Sequence, residues 1–258
     1  MHNPIISVLM PTKNGEVYIA RAIVSIQTQT FSDWELVVVD DGSTDGTAGV
    51  VNALAARDKR IRLVRVVQPD GAPGALREGM QHVRGQFVAR LDDDDVWVDP
   101  TKLAQQLAYM EVHAGCVLVG TGTVVANEQG RELWRYVHPH ADPDIRSILL
   151  GKNCFVNSSV LFRRSVYLQT KGYRVEWRFI EDYDLWLQMA LYGSVANLPL
   201  YATVYTQRAS SVTSTRHRAM YWRTIRLAHA HRREYPGYWR GQLRNVARLL
   251  RYWFGPKQ

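Results

Sequence analysis

Through the N-terminal part of the chain, uninterrupted apolar runs alternate with stretches whose apolar positions recur every three or four residues. IISVLMPT (5–12) has the length and β-branched content of a buried strand. The following segment, EVYIARAIVSIQTQ, sets Val17, Ile19, Ile23, Val24 and Ile26 at mostly helical spacing. WELVVVD (34–40) repeats the strand pattern and STDGTAGVVNALAAR the helical one, with Ser43 or Thr44 placed to cap it. IRLVRVV (61–67), GALREGMQHVRG and QFVARLD supply a third strand, a third helix closed by Gly85, and a fourth strand. Near-continuous apolar strands separated by helices predict a parallel sheet covered on both faces. Right-handed crossovers then align the carboxyl ends of the strands along one edge, where such sheets bind ligands.

The second half is less regular. DPTKLAQQLAYMEVHA is helical, with Pro100 near its start, and EDYDLWLQMALYG is a further helix. CVLVGTGTVVA, VNSSVLFRR and GSVANLPLYATVYTQR read as strands with fewer helices between them, which predicts antiparallel strands added to the parallel half. The pattern divides the chain into one αβα domain, 1–214, and a helical tail, 215–258.

Charge separates the same two parts. Residues 215–258 hold 11 of the 32 Lys and Arg and 1 of the 24 Asp and Glu, so the basicity of the chain (+8) belongs to the tail. Hydrophobic residues at 46% and charged residues at 22% are ordinary for a globular protein, and no apolar run reaches membrane-spanning length. The N-terminus lacks the basic start and apolar core of a signal peptide, and Cys116 and Cys154 lie in apolar stretches without metal-type spacing. The expectation is a cytoplasmic protein with reduced thiols.

Three acidic clusters carry the candidate chemistry. VVVDDGSTDGT follows the second strand, RLDDDDVW the fourth, and FIEDYDLW opens a helix. Asp-Gly-Ser is common turn chemistry, and acidic residues are favoured at helix N-termini, so the first and third clusters each have a structural reading beside a functional one. Four successive carboxylates at the end of a buried strand exceed what a turn needs. Oxygen donors of this kind suit Mg²⁺ or Mn²⁺, which keep sites open for substrate phosphates.

SVLMPTKNGEVYI, QTFSDWELVVVDDGSTDGT, GQFVARLDDDDVW and EDYDLWLQMA, in that order, resemble the family 2 glycosyltransferases of the GT-A fold across roughly residues 5–212. The resemblance implies an α/β protein with a Rossmann-like parallel half continuing into a mixed sheet, helices on both faces and a C-terminal helical tail. It also implies a nucleotide-diphosphate sugar donor, a divalent metal and inversion at the anomeric carbon. On that basis Asp40 accepts the imide N–H of a uracil or thymine ring, and Pro11, Thr12 and Lys13 line base and ribose. Lys13 departs from the aromatic residue frequent in the family. Asp92 and Asp94 take the metal-binding positions of the D-x-D pair, and Asp93 lies near the ribose. Arg77 either holds the base or phosphates or is a surface arginine. Asp182 takes the position of the general base, with Glu181 orienting it or meeting the acceptor. Arg208 and Ser211 match the loop that closes on the diphosphate, though QRASSVT is also an ordinary polar turn. The Q-x-x-R-W signature and spanning helices of processive synthases are missing, as expected of a transferase that adds a single sugar.

In the tail, Arg240, Arg244, Arg248 and Arg251 recur on one side of a helix, and Leu243, Val246, Leu250 and Trp253 on the other. That pattern fits a helix lying on an anionic membrane surface, or one packing its apolar side on the domain. Nucleic acid is the weakest partner for it. The overall expectation is a peripheral enzyme on the inner face of the cell membrane that acts on a saccharide or lipid-linked acceptor. The competing readings are a non-catalytic sugar-nucleotide or carbohydrate-binding protein and a sugar-nucleotide pyrophosphorylase, whose glycine-rich loop PTKNGEVYI does not match.

Overall fold

A computed structural model describes residues 3–208 and 216–254. The parallel half contains β1 (Ile6–Thr12), α1 (Ile19–Gln27), β2 (Trp34–Asp40), α2 (Thr47–Arg57), β3 (Ile61–Arg65), α3 (Gly71–His82) and β4 (Phe87–Arg90). β5 (Val96–Trp97), α4 (Lys102–Val112), β6 (Cys116–Asn127), β7 (Glu132–Tyr136) and α5 (Asp142–Leu149) follow. Then come β8 (Leu161–Arg163), α6 (Arg164–Tyr167), α7 (Glu181–Met189), β9 (Ser194–Gln207), α8 (His217–Ala230) and α9 (Tyr238–Phe254).

The nine strands form one sheet in the order β3-β2-β1-β4-β8-β6-β9-β5, with β7 also paired to β6. β3, β2, β1 and β4 are parallel, whereas β8 runs antiparallel to both β4 and β6, and β5 antiparallel to β9. This is the mixed sheet expected from the thinning of helices after residue 115. Every residue of β2 is buried, and alternate side chains feed opposite layers. Leu9, Val37, Val39 and Val88 pack with α3 and α7, while Val8, Met10, Leu36 and Val38 pack with α1 and α4. The register pairs Thr12 with Asp40 and Leu9 with Arg90. Residues 11–13, 40–41 and 92–95 therefore leave the sheet at one edge.

Several local expectations change. Neither Ser43 nor Thr44 caps α2: Asp45 accepts from the Thr47 N–H (3.1 Å), while the Ser43 hydroxyl accepts from the Asn14 N–H. α3 ends at His82, and Gly85 has another purpose. A Cβ there would sit 2.5 Å from the Ser7 nitrogen and 2.8 Å from the Ile6 carbonyl carbon, so glycine permits the close approach to β1. In VNSSVLFRR only Leu161–Arg163 is strand, because Asn157–Ser159 coil into a 3₁₀ turn in which the Ser159 hydroxyl donates to the Val156 carbonyl. The two-residue β5, the exposed β7 and the short α5 have too little apolar periodicity to stand out in the sequence.

The tail packs on the domain. Leu227, Ala228 and Tyr235 are buried in the same core layer as α7, and the Tyr235 hydroxyl donates to the Leu187 carbonyl (2.5 Å). Asp184, fully buried, receives the Arg174 guanidinium on both oxygens, with Gln188 Nε2 at 2.9 Å and His231 Nε2 at 3.3 Å. Asp184→Asn removes the fully buried charge that Arg174 grips with two nitrogens and leaves the half-buried guanidinium only the looser contact with Glu176 at 3.7 Å. It is expected to destabilise the fold by about 2–3 kcal/mol in chemical denaturation, less than for a fully buried pair; a loss below about 1 kcal/mol would refute this tie.

Candidate active site

The DDDD loop is held from below by its own strand. Arg90 is fully buried; one guanidinium nitrogen donates to the Leu9 carbonyl and the other to Asp92 (2.7 Å). Asn157 also donates to Asp92 (3.1 Å), whose carboxylate remains about one-third exposed to the cleft. The Thr12 hydroxyl donates to Asp93. Asp94 pairs with Arg208, and its carbonyl accepts from Arg21 (2.8 Å) and the Thr206 hydroxyl (2.6 Å). Asp95 is enclosed, accepting from the Ser158 hydroxyl and the Thr206 N–H (2.9 Å).

Burial and mutual repulsion oppose the charges of this loop. Burial, then the charge of Asp94, pushes Asp93 up to about 7; burial, then Asp92, raises Asp94. A cation at the loop relieves that cost, and in this structure the Arg208 guanidinium supplies one. Among the described residues no three His, Cys, Asp or Glu side chains converge on a point suited to a metal. The donor set therefore fits an ion held by Asp94, with Asp92 beside it, and completed by ligand phosphates and water, which is how Mg²⁺ is commonly bound.

At the nucleotide end, the loops after β1 and β2 are laced together. The Asn14 N–H donates to the Ser43 hydroxyl (2.9 Å), Asn14 Oδ1 accepts from the Thr44 N–H (2.9 Å), and the Gly15 N–H donates to the Thr47 hydroxyl (2.9 Å). Asn14 takes φ +56° to make this turn, a conformation asparagine tolerates. Asp40 is fully buried, accepting from the Ser43 N–H (2.7 Å) and from Arg65 (3.2 Å), whose side chain is 62% exposed. Lys13 lies 3.5 Å from Asp41 and Pro11 lines the edge. Arg77 stands exposed on α3, with its charge felt at the Tyr167 hydroxyl, and forms no hydrogen bond to the other candidates among the described residues.

Glu181 and Asp182 open α7 on the far side of the cleft. Burial pushes Glu181 up to about 7, aided by the neighbouring Asp182 charge, and one of its carboxylate oxygens is buried without a hydrogen-bond partner. Burial raises Asp182 to about 6; it also feels the charges of Asp92 and Arg90, and accepts from Asn153 Nδ2 (3.1 Å). Phe179, just upstream, has φ +79°, a conformation bulky residues rarely adopt and one that gathers at functional sites.

The structure thus brings Thr12, Lys13, Asp40, Asp92, Asp93, Asp94, Asp182 and Arg208 to one cleft; Ser211 lies outside the described residues. Arg90, Asn153, Asn157 and Ser158 were missed. An arginine inside the otherwise apolar FVARL was the available signal, since a buried guanidinium needs an acid to meet it.

A parallel sheet running into a mixed one, with an acidic loop at the carboxyl edge and a carboxylate pair opposite, is the architecture of a GT-A nucleotide-sugar enzyme. The model of glycosyl transferase family 2 matches residues 7–169, and the chain belongs to that family. The Bacillus subtilis protein EpsE is 35% identical over 188 residues, covering 72% of this chain; this chain spans 66% of EpsE. The Escherichia coli UDP-Glc:alpha-D-GlcNAc-diphosphoundecaprenol beta-1,3-glucosyltransferase WfgD is 29% identical over 218 residues, 84% of this chain and 82% of WfgD. Among solved structures, the mannosyltransferase PcManGT of Pyrobaculum calidifontis, in complex with GDP-Man and Mn²⁺, superposes with TM-score 0.68. It shares 18% identity and covers all of this chain and 77% of its own.

Proposed function

We propose that this chain is a metal-dependent, inverting glycosyltransferase. It moves one sugar from a uridine or thymidine diphosphate donor to a hydroxyl of a saccharide carried on a lipid diphosphate, in bacterial surface-polysaccharide synthesis. The observation that carries this reading is the partly accessible Asp182 carboxylate, facing across one cleft the acidic loop whose charges call for a cation.

Asp182 takes the proton of the acceptor hydroxyl as its oxygen attacks the anomeric carbon from the face opposite the leaving group. The sugar–phosphate bond breaks and its electron pair leaves with the nucleoside diphosphate. A divalent ion bound at Asp94, with Asp92, would neutralise the negative charge that builds on that diphosphate. Arg208 lies where it can exchange Asp94 for the diphosphate, with Ser211 on the same segment. Asp40 accepts the imide N–H of the base, Pro11, Thr12 and Lys13 line base and ribose, and Asp93 lies near the ribose. Arg77 holds the base or the phosphates, or is a surface arginine with no part in the site. Glu181 orients Asp182 or meets the acceptor. The WfgD reaction supports a UDP-sugar donor and a lipid-diphosphate acceptor. The test is incubation with Mn²⁺, a panel of UDP- and dTDP-sugars, and either GlcNAc-diphosphoundecaprenol or free GlcNAc. Transfer to the lipid-linked acceptor with inverted configuration supports the reading. Hydrolysis alone, or transfer only to free sugar, overturns its acceptor half.

The tail supports a place at the membrane's cytoplasmic face. No described helix is long and apolar enough to cross a membrane. α9 packs through Gly241, Asn245 and Leu249, with Arg248 donating to the Gly151 carbonyl (2.9 Å). Its apolar stripe faces outward: Trp239 is 76% and Leu243 72% exposed, with Val246 and Leu250 beside them. The helix therefore does not pack its apolar side on the domain. Arg240 and Arg244 flank the stripe, and each basic residue near an anionic bilayer contributes about 1 kcal/mol. Cosedimentation with phosphatidylglycerol vesicles is expected to exceed that with phosphatidylcholine at least about tenfold and to fall with Trp239→Ser/Leu243→Ser. Equal binding to both lipids would refute the electrostatic part.

A further inference from the structure

Outside the cleft, the described residues contain an open groove of about 500 Å³ between the two tail helices and the turn before α7. That volume lies within the ~300–1,000 Å³ of small-molecule sites. Trp177, Ile225, Ala230 and Tyr238 give it a largely apolar lining, with Arg226 and His229 at its sides. The Tyr238 ring adjoins that of Trp239 (centroids 5.0 Å apart), so the groove is continuous with the outward apolar stripe of α9.

Between groove and cleft stands a pair of arginines. Arg223, one turn before Arg226 on α8, donates to the Arg178 carbonyl (2.7 Å) and lies over the Phe179 ring at 5.0 Å. The Arg178 guanidinium lies over the same ring at 5.6 Å. No carboxylate is paired with either guanidinium among the described ion pairs. The backbone conformation of Phe179 sets its ring between the two arginines, two residues before Glu181. Along a short stretch of surface the chemistry therefore runs from a candidate base, to two cations, to an apolar groove. A lipid-diphosphate saccharide has the complementary sequence: a hydroxyl, a dianionic diphosphate, and a hydrocarbon chain.

We propose that the groove between α8, α9 and Trp177 binds the hydrocarbon chain of a polyprenyl-diphosphate acceptor, whose diphosphate lies on Arg178 and Arg223. This rests on the lipid-linked acceptor proposed above and adds the site that holds it. Guanidinium groups suit a diphosphate by presenting forked donors to its oxygens, while the groove removes part of the chain from water at about 25 cal/mol per Å² of apolar surface. Together they select an amphiphile over either half alone.

The probes are farnesyl diphosphate below its micelle-forming concentration, inorganic diphosphate and farnesol. Each is titrated into the full chain holding saturating UDP and Mn²⁺, which keeps the donor site filled, and read by tryptophan fluorescence. Farnesyl diphosphate is expected to bind at least about tenfold more tightly than either fragment. Ala230→Trp, at an exposed position that fills the groove, should weaken it about tenfold or more, and Arg223→Ala should weaken farnesyl diphosphate but not farnesol. Circular-dichroism melts and UDP affinity check that the variants are folded.

Inorganic diphosphate binding as tightly as farnesyl diphosphate would reduce the site to an anion site and overturn the groove. So would an unchanged affinity in both Ala230→Trp and Ile225→Asp. A chain that is dimeric in solution and becomes monomeric with Ala230→Trp would assign the groove to a second copy instead. If no probe binds but GlcNAc-diphosphoundecaprenol is still glycosylated, only this inference fails; if transfer goes solely to free sugar, the acceptor reading fails with it.

Discussion

Asp182→Asn is expected to lower sugar transfer by about 10²–10⁴-fold, while UDP affinity in the presence of Mn²⁺ stays within about twofold. Asparagine keeps the volume and can still meet Asn153, but it cannot take a proton. The same substitution should raise stability. Burial holds the folded-state pKa of Asp182 at about 6, above its ordinary 3.8. The folded chain therefore retains a proton that the unfolded chain releases between those values, and stability falls as pH rises from about 4 to 6. Above that window the ionised carboxylate costs up to about 3 kcal/mol. Removing it should raise the melting temperature by several degrees near pH 7.5, at ~2–4 °C per kcal/mol. Wild-type turnover should rise with pH through an acid limb near 6 as Asp182 ionises. A variant that is slower yet more stable marks a group kept for chemistry. A variant transferring sugar at the wild-type rate would remove Asp182 from the mechanism, and the non-catalytic binding readings would regain ground.

Asp94→Ala should abolish the metal-dependent part of UDP binding, a loss of at least about 100-fold by calorimetry in Mn²⁺. Its binding without metal should change little. With Asp94 gone the loop loses one of its repelling charges, so Asp93 should titrate lower. Arg208 loses its ion pair with Asp94 at the same time and keeps its place over the Tyr18 ring, 4.8 Å from the centroid. Retained metal dependence in Asp94→Ala would move the ion elsewhere in the loop, with Asp92 the next carboxylate to test.

The parallel half was legible because buried strands such as VVVD admit one periodicity and helices another. The acidic loop stood out because four carboxylates after FVAR are more than a turn needs, though the fourth, Asp95, is enclosed and bonded to Ser158 and Thr206. The partners that hold it did not. Asn157 and Ser158 come from a segment more than sixty residues away that looks like a plain strand, and only tertiary contact makes them neighbours of Asp92 and Asp95, as it makes Asn153 a neighbour of Asp182. Asp182 and Asp184 stand two residues apart on one helix and so point apart, the first meeting Asn153 and the second locked to Arg174, a partner that the sequence did not reveal. The outward turn of α9 was hidden for a similar reason. Gly241 fits against Gly151 where a bulkier residue would not, and no hydrophobic pattern records that.

The knot at Asp184 ties the tail to the helix that carries Asp182. His231 grips the same carboxylate that anchors the first turn of α7, so a force that lifts or seats the C-terminal helices pulls on the helix carrying Asp182. A chain trimmed at residue 214 would lose His231 from that carboxylate and keep Arg174 and Gln188, so the first turn of α7 would be braced from one side alone.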